Sequence, residues 1–362
     1  MTAFVPGLEL ARGLYDEVRP VLTERGLAHT AALVGPGSDV LGLDDATSTD
    51  HDWGPRLQVL LSPADHSAHA TTLHEELRHR LPGRVGGWTT RVATVSSDGT
   101  RGLGDATGTG PVDHRVELRT LDALLTRVLG PVDPRLPLTA ADWLVVPQQR
   151  LLSFTSGAVF HDDLGLGLLR SRLRYYPHDV WLYQQAAAWS AIGQDEHLAP
   201  RAGMAGDDLG SRLVTARLCR TAVQLAFLQE RRYAPYDKWL GTALARLDST
   251  AGLRSALADT LAAPGWQERQ RSLGDVLVEL VRRHNGLGTT EPLAERTHPF
   301  HGRPFEVIDG AEIARRVAEG VTDPTVRDLV RRPLVGGIDL LSASTDLAVD
   351  VDRSADLRRL YS

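Results

Sequence analysis

The pattern of apolar residues changes character once along this chain, and the change falls on a proline-rich break. Gly130-Pro131 and the run from Pro134 to Pro137 interrupt regular structure, because proline lacks an amide donor and glycine leaves the backbone unconstrained. Before the break, short apolar runs alternate with amphipathic ones. After it, from Thr139 to about Gly286, helical spacing prevails: Val180 to Ile192, Leu209 to Leu228, Lys238 to Leu247 and Leu273 to Val281 all carry it. A chain of 362 residues exceeds one typical core. The break therefore predicts an α/β (α+β) domain with a small mixed sheet at 1–130 and a mostly α-helical bundle at 131–297. A C-terminal appendage follows at 298–362.

Within the first part, Leu8, Leu10, Leu14, Val18, Val21 and Leu22 recur at near-helical spacing, and Gly26 closes the helix. The spacing predicts a strand from His29 to Val34 running into the turn Gly35-Pro36-Gly37-Ser38, and a second strand from Leu57 to Leu61. A polar helix at 64–81, a strand from Arg91 to Val95, a loop from Ser96 to Pro111, a strand from His114 to Leu118 and a helix to Leu129 complete it. There is no internal repeat.

The chemistry is concentrated in Gly37-Ser38, eleven intervening residues, and then Asp50-His51-Asp52-Trp53. In an extended segment, Asp50 and Asp52 project to one face, because side chains alternate along a strand. Two such carboxylates suit magnesium, which takes oxygen ligands and shares them with substrate phosphates. A Gly-Ser turn offers backbone N–H groups and a hydroxyl to terminal phosphates. A phosphate grip beside a metal clamp is the minimum equipment for in-line nucleotidyl transfer.

A Gly-Ser pair followed after about ten residues by Asp-x-Asp resembles the signature of the DNA polymerase β-type nucleotidyltransferase superfamily. The stretch Gly35 to Arg56 looks like a largely uncharacterised branch of it. The resemblance continues through Tyr175-Tyr176-Pro177-His178-Asp179-Val180-Trp181 and Arg232-Tyr233-Ala234-Pro235-Tyr236-Asp237-Lys238-Trp239, and so covers most of the chain. It implies a Mg2+-dependent enzyme that moves a nucleoside monophosphate, AMP first among them, from a triphosphate such as ATP to a small-molecule hydroxyl or amine. Asp50 and Asp52 would hold the metal, and Gly37 and Ser38 the triphosphate. The superfamily also has a third carboxylate on a later strand, as metal ligand or base. Glu117, alternating with apolar neighbours, is the candidate, with Asp113 in reserve. Pro36, His51 and Trp53-Gly54-Pro55 depart from the pattern and bear on local strand geometry.

Of the 40 Lys and Arg residues, Lys238 is the only lysine, and arginine's broad fork does not replace a compact ammonium at every phosphate site. Arg217, Arg220, Arg231, Tyr233 and Tyr236 cluster near it. By resemblance to the adenylyltransferases that modify antibiotics, Lys238 and Arg220 would meet the phosphates and Tyr233 the base; the plainer reading is a basic helix with core tyrosines. The same resemblance allows another function, an antitoxin-like module that binds nucleotide or a partner without turnover.

Net charge is −6, against bulk nucleic-acid binding. The lone Cys219 excludes an internal disulfide, no apolar run is long enough for a membrane span, and Met1 to Leu10 lacks a signal-peptide pattern. These features predict a cytoplasmic protein. His74 and His79 are five apart and fall on different helix faces, so they are no zinc-protease motif. His161-Asp162-Asp163 has no recognisable sequence partner and reads as a helix-end feature.

Overall fold

The computed structural model describes residues 3–93, 102–105, 107–108, 110–248 and 250–361, of Val351 the backbone alone. The chain is mixed α/β and divides into two compact units, Met1–Pro137 with Arg150–Arg174, and Leu138–Gln149 with Tyr175–Ser362. This division departs from the expected boundaries at 130 and 297. Segment 150–174 returns to the first unit, and the C-terminal residues belong to the second.

The first unit holds strands β1 (His29–Leu33), β2 (Arg56–Leu61), β3 (Arg84–Val85), β4 (Trp88–Thr89), β5 (Arg115–Thr120) and β6 (Ala158–Asp162), with helices α1 (Gly7–Glu24), α2 (Pro63–Arg80) and α3 (Leu121–Leu129). Four strands form a mixed sheet in the order β5-β2-β1-β6, and β3-β4 is a separate short ribbon. β1 runs antiparallel to both β2 and β6, whereas β2 and β5 are parallel. β1 is therefore central, and all five of its residues are buried.

Helix α2 starts where the sequence directs it. Ser62 accepts the Asp65 amide and Pro63 occupies the first turn, where its missing N–H is no loss. One face of the sheet buries Leu57, Val59, Leu61 and Val116 against Leu14, Val18, Val21 and Leu22 of α1 and Leu73 and Leu77 of α2. Each large side chain buried here contributes about 1.5–3 kcal/mol. Alternation puts Arg56 and Gln58 of β2, and Arg115 and Glu117 of β5, on the opposite face. One face is thus oily and the other charged.

Two expectations change. β6 lies in a stretch expected to be helical; its five residues are short, and its partner β1 is some 130 residues upstream, beyond any local pattern. The expected strand Arg91 to Val95 contributes only an isolated bridge between Val92 and Leu103, and its last two residues lie outside the described ones. So does much of the loop expected from Ser96 to Pro111.

The second unit is helical, built around His178–Asp195, which buries Trp181, Tyr183, Ala186 and Trp189. Helices Asp208–Gln229 and Gly310–Glu319 pack on it. The last contact is close because a Cβ on Gly193 would come within 2.4 Å of the Ala311 amide nitrogen, and one on Gly310 within 2.6 Å of the Trp189 carbonyl. Residues 298–362, expected as an appendage, thus include part of this core. No helix among the described residues is long and apolar enough to cross a membrane.

Candidate functional site

The turn after β1 is organised by an ion pair between a buried Asp39 and a partly buried Arg56. Arg56, at the start of β2, donates through Nε to Asp39 Oδ2 (2.7 Å) and through Nη2 to Asp39 Oδ1 (2.5 Å), and Nη2 also reaches the Pro36 carbonyl at 2.9 Å. Asp39 is 2% exposed. Burial works against the Arg56 charge, but Asp39, with Glu117 and Asp52 behind it, outweighs burial and raises its pKa. The pair also dictates the residue between them. Gly37 has φ 138°, and a Cβ there would lie 2.2 Å from Arg56 Nη2 and 2.3 Å from Asp39 Oδ1. Only glycine fits.

Gln58, two residues along β2, closes the end of β1: its amide accepts the Val34 N–H at 3.1 Å and donates to the Val34 carbonyl at 2.9 Å. With those groups occupied, the chain leaves the sheet at Gly35. The amides of Gly37 and Ser38 and the Ser38 hydroxyl donate no hydrogen bond to the described residues, although the two carbonyls accept from Leu41 and Leu43. Ser38 is half-buried.

Asp50 and Asp52 are not on a strand. Asp50 ends a 3-10 turn, Ala46–Asp50, and Asp52 has φ 49°, so the expected extended segment with both carboxylates on one face is not what this loop adopts. The reason is its anchoring. Asp44 Oδ2 accepts the Gly7 amide (2.8 Å) and the Trp53 indole N–H (2.9 Å), and the buried Trp53 ring packs on Phe4 and Trp88. The loop must bring Trp53 inward and turns at Asp52 to do so. Arg115 of β5 donates to the carbonyls of Trp53 (2.9 Å) and Asp52 (3.1 Å), and lies 3.4 Å from the Asp52 carboxylate.

Both carboxylates remain exposed. Asp50 is held below the usual carboxylate range by the His51 side chain, at 3.0 Å. Glu117 lies on β5 opposite Gln58 and accepts Arg119 Nε at 2.9 Å and Arg127 Nη1 at 3.1 Å. Burial would raise its pKa, but Arg119, Arg127 and Arg56 overcome that and lower it. It is therefore an ionised, salt-bridged carboxylate rather than a poised base. Asp113 is exposed just before β5. Among the described residues, Asp50, Asp52 and Glu117 do not converge into a three-ligand group.

In the second unit, Lys238 is exposed near the start of helix Asp237–Leu244, its ammonium 5.0 Å from the Trp239 ring centre. Arg220 pairs with Asp237 at 3.2 Å. Tyr233 is buried, with its ring 5.1 Å from those of both Tyr175 and Tyr176; this is the core packing that was the plainer reading, and the exposed tyrosine of the segment is Tyr236. The two aromatic motifs of the helical half thus meet in one cluster.

Sequence reasoning missed Asp39, Arg56, Gln58 and Asp44. A usable signal existed for two of them: in Arg56-Leu-Gln58-Val-Leu-Leu, the only polar residues of a strand alternate onto one face.

Residues 143–240 match a family model described as a domain of unknown function, DUF4037. That span includes both aromatic motifs but is well under half of the chain. No curated protein matches. Among solved structures, the chain is similar to a nucleotidyltransferase-like protein from Exiguobacterium sibiricum, at 14% identity over 87% of this chain and 92% of that one. The TM-score of that likeness is 0.35, too low to carry an argument about the fold.

Proposed function

We propose that the first unit binds a nucleoside triphosphate, ATP by preference, at the Gly37–Ser38 turn and transfers its nucleoside monophosphate to a small-molecule hydroxyl or amine. The observation that carries this reading is the turn itself. It pairs uncommitted amide donors and a hydroxyl at the end of a central strand with two exposed carboxylates on the loop that returns to the sheet. Gly37 and Ser38 would hold phosphate oxygens. Asp50 and Asp52 are exposed, hard oxygen donors of the kind Mg2+ takes; Asp50 would exchange its His51 contacts for the ion, which would neutralise phosphate charge and favour in-line displacement. Arg115, tied to the backbone beside Asp52, would keep that loop in place. Glu117, gripped by two arginines, does not fit the ligand set as it stands; its part would be to hold Arg119 and Arg127 on the charged face. The lone Cys219, a buried thiol raised to about 12 by burial, is in keeping with a reducing cytoplasmic setting.

The engaged Glu117 favours one second reading, a domain that binds nucleotide without turnover. Calorimetric titration of each triphosphate, with and without Mg2+, tests the first step. Wild type is expected to bind in a Mg2+-dependent manner, and Asp50→Asn/Asp52→Asn to lose that dependence. No binding by any triphosphate would overturn the proposal. Binding without pyrophosphate release across a panel of acceptors would select the second reading.

A further inference from the structure

The opposite end of β1 carries a group of side chains that the nucleotide reading does not use. His29 opens β1. Its neighbour β6 places His161 opposite Ala31, two residues along and therefore on the same face. Asp163 lies just past the end of β6, its amide bonded to the His29 carbonyl at 3.1 Å. The two imidazoles stack with centres 4.4 Å apart, and His161 Nε2 lies 2.9 Å from Asp163 Oδ2. One ligand atom from each of His29, His161 and Asp163 lies within 4.8 Å of the others, and among the described residues no other such group of three occurs.

The surroundings set each residue's role. His29 Nδ1 donates to the Leu27 carbonyl at 3.0 Å, which leaves Nε2 as the nitrogen with a lone pair; this is the orientation that outer partners impose on metal-binding histidines. Tyr15 brings its hydroxyl within 3.2 Å of that nitrogen. Asp162, between His161 and Asp163, is otherwise engaged: it accepts the Thr30 hydroxyl (2.8 Å) and the amides of Leu166 (2.9 Å) and Gly167 (2.8 Å) at the start of a helix. Asp162 thus meets the helix-end expectation, while His161 and Asp163 find in His29 the partner that the sequence did not reveal. His29 is buried, but His161 and Asp163 are partly open to solvent, so an ion has a way in.

We propose that His29, His161 and Asp163 form a zinc site joining β1 to β6. Two imidazole nitrogens and one carboxylate are a zinc donor set, whereas Mg2+ prefers oxygen alone. Three protein ligands leave a fourth position beside Tyr15, for water or its hydroxyl. The site ties together segments more than 130 residues apart in sequence and lies at the far end of β1 from the Gly37–Ser38 turn.

The test is equilibrium dialysis of the metal-stripped full chain against Zn2+ in a large excess of Mg2+, followed by metal analysis. One zinc per chain is expected, and Co2+ in its place should give the visible absorption of a four-coordinate nitrogen–oxygen site. His161→Asn and Asp163→Asn, both changes at partly exposed positions, should keep the circular dichroism of wild type. Each should weaken zinc by at least about 100-fold, more than loss of an outer partner usually costs. Asp50→Asn/Asp52→Asn should retain zinc, which separates this site from the nucleotide reading. Wild type holding no zinc, or both folded site variants holding it as wild type does, would overturn the proposal.

Discussion

The two ends of β1 present polar groups to solvent by different means. At the Gly35 end, the functional candidates are close in sequence, and an ion pair behind them fixes the backbone. At the His29 end, the candidates come from two strands far apart in sequence, and the sheet register alone unites them. The first end is therefore vulnerable to any change in one pair of charges. The second rests on the pairing of β6 with β1 and loses its geometry if β6 leaves the sheet.

The largest effect should come from separating the pair at the Gly35 end. Asp39→Ala strands a partly buried Arg56 guanidinium, 16% exposed, without its carboxylate; removing one partner of a fully buried pair costs about 3–5 kcal/mol, which is the upper bound here. Chemical denaturation should show that loss, and Arg56→Met placed on Asp39→Ala should recover part of it by removing the stranded charge. A loss below about 1 kcal/mol would mean that water reaches Arg56 and the turn is not set by the pair.

Acidification offers a milder route to the same end of the sheet. His114, just before β5, is pushed down to about 4, chiefly by burial, with the His74 carbonyl at 3.3 Å opposing and the neighbouring His74 adding to the shift. Its folded pKa lies below the unfolded value of 6.5. The neutral ring's contribution is therefore complete above about pH 6.5 and is lost as pH falls towards 4, up to about 3 kcal/mol over that window. Melting curves from pH 7 to pH 4 should record this loss, and His114→Gln should flatten the His-dependent part of it. An unchanged slope in the variant would assign the acid sensitivity elsewhere.

Gly37→Ala comes next. The added methyl group meets Arg56 and Asp39 at a φ that L-residues avoid, and local strain of this kind costs about 1–3 kcal/mol. Both the melting temperature and triphosphate affinity should fall, whereas zinc binding at the far end should stay. Parallel loss of zinc would show that the two ends are not independent.

The contrast also explains what the sequence could reveal. Helix α1 was legible because it buries one face and so carries a local period of apolar residues, and β1 and β2 because each is a short, largely apolar run bounded by turn residues. Gly37, Ser38, Asp50 and Asp52 were legible as a motif for the same reason: they occupy one short stretch. The conformation of that stretch was not, because it depends on Asp44 reaching back to Gly7 and on where Trp53 packs. β6 was hidden because five residues between two helices carry too little periodicity. Its partnership with His29 is a fact of sheet order, and no single segment encodes it.

The smallest expected effect on stability separates the loop's shape from its proposed chemistry. Asp52 sits at φ 49°, where a side chain costs up to about 1–2 kcal/mol and Asp less than most. Asp52→Gly relieves that strain but adds chain entropy to the unfolded state, about 0.5–1 kcal/mol. It also removes a solvent-exposed contact with Arg115 at 3.4 Å, worth at most about 1 kcal/mol. These terms oppose one another, so the variant should fold within about 1 kcal/mol of wild type. If Asp52 is present only to turn the chain, triphosphate affinity should survive as well, because glycine turns it better. If its carboxylate carries the metal, Mg2+-dependent affinity should drop by at least about tenfold, since loss of even an outer partner costs that much, on an unchanged melting curve. Calorimetry and a thermal melt on the same preparation distinguish the two, and only the second outcome keeps Asp52 in the nucleotide site.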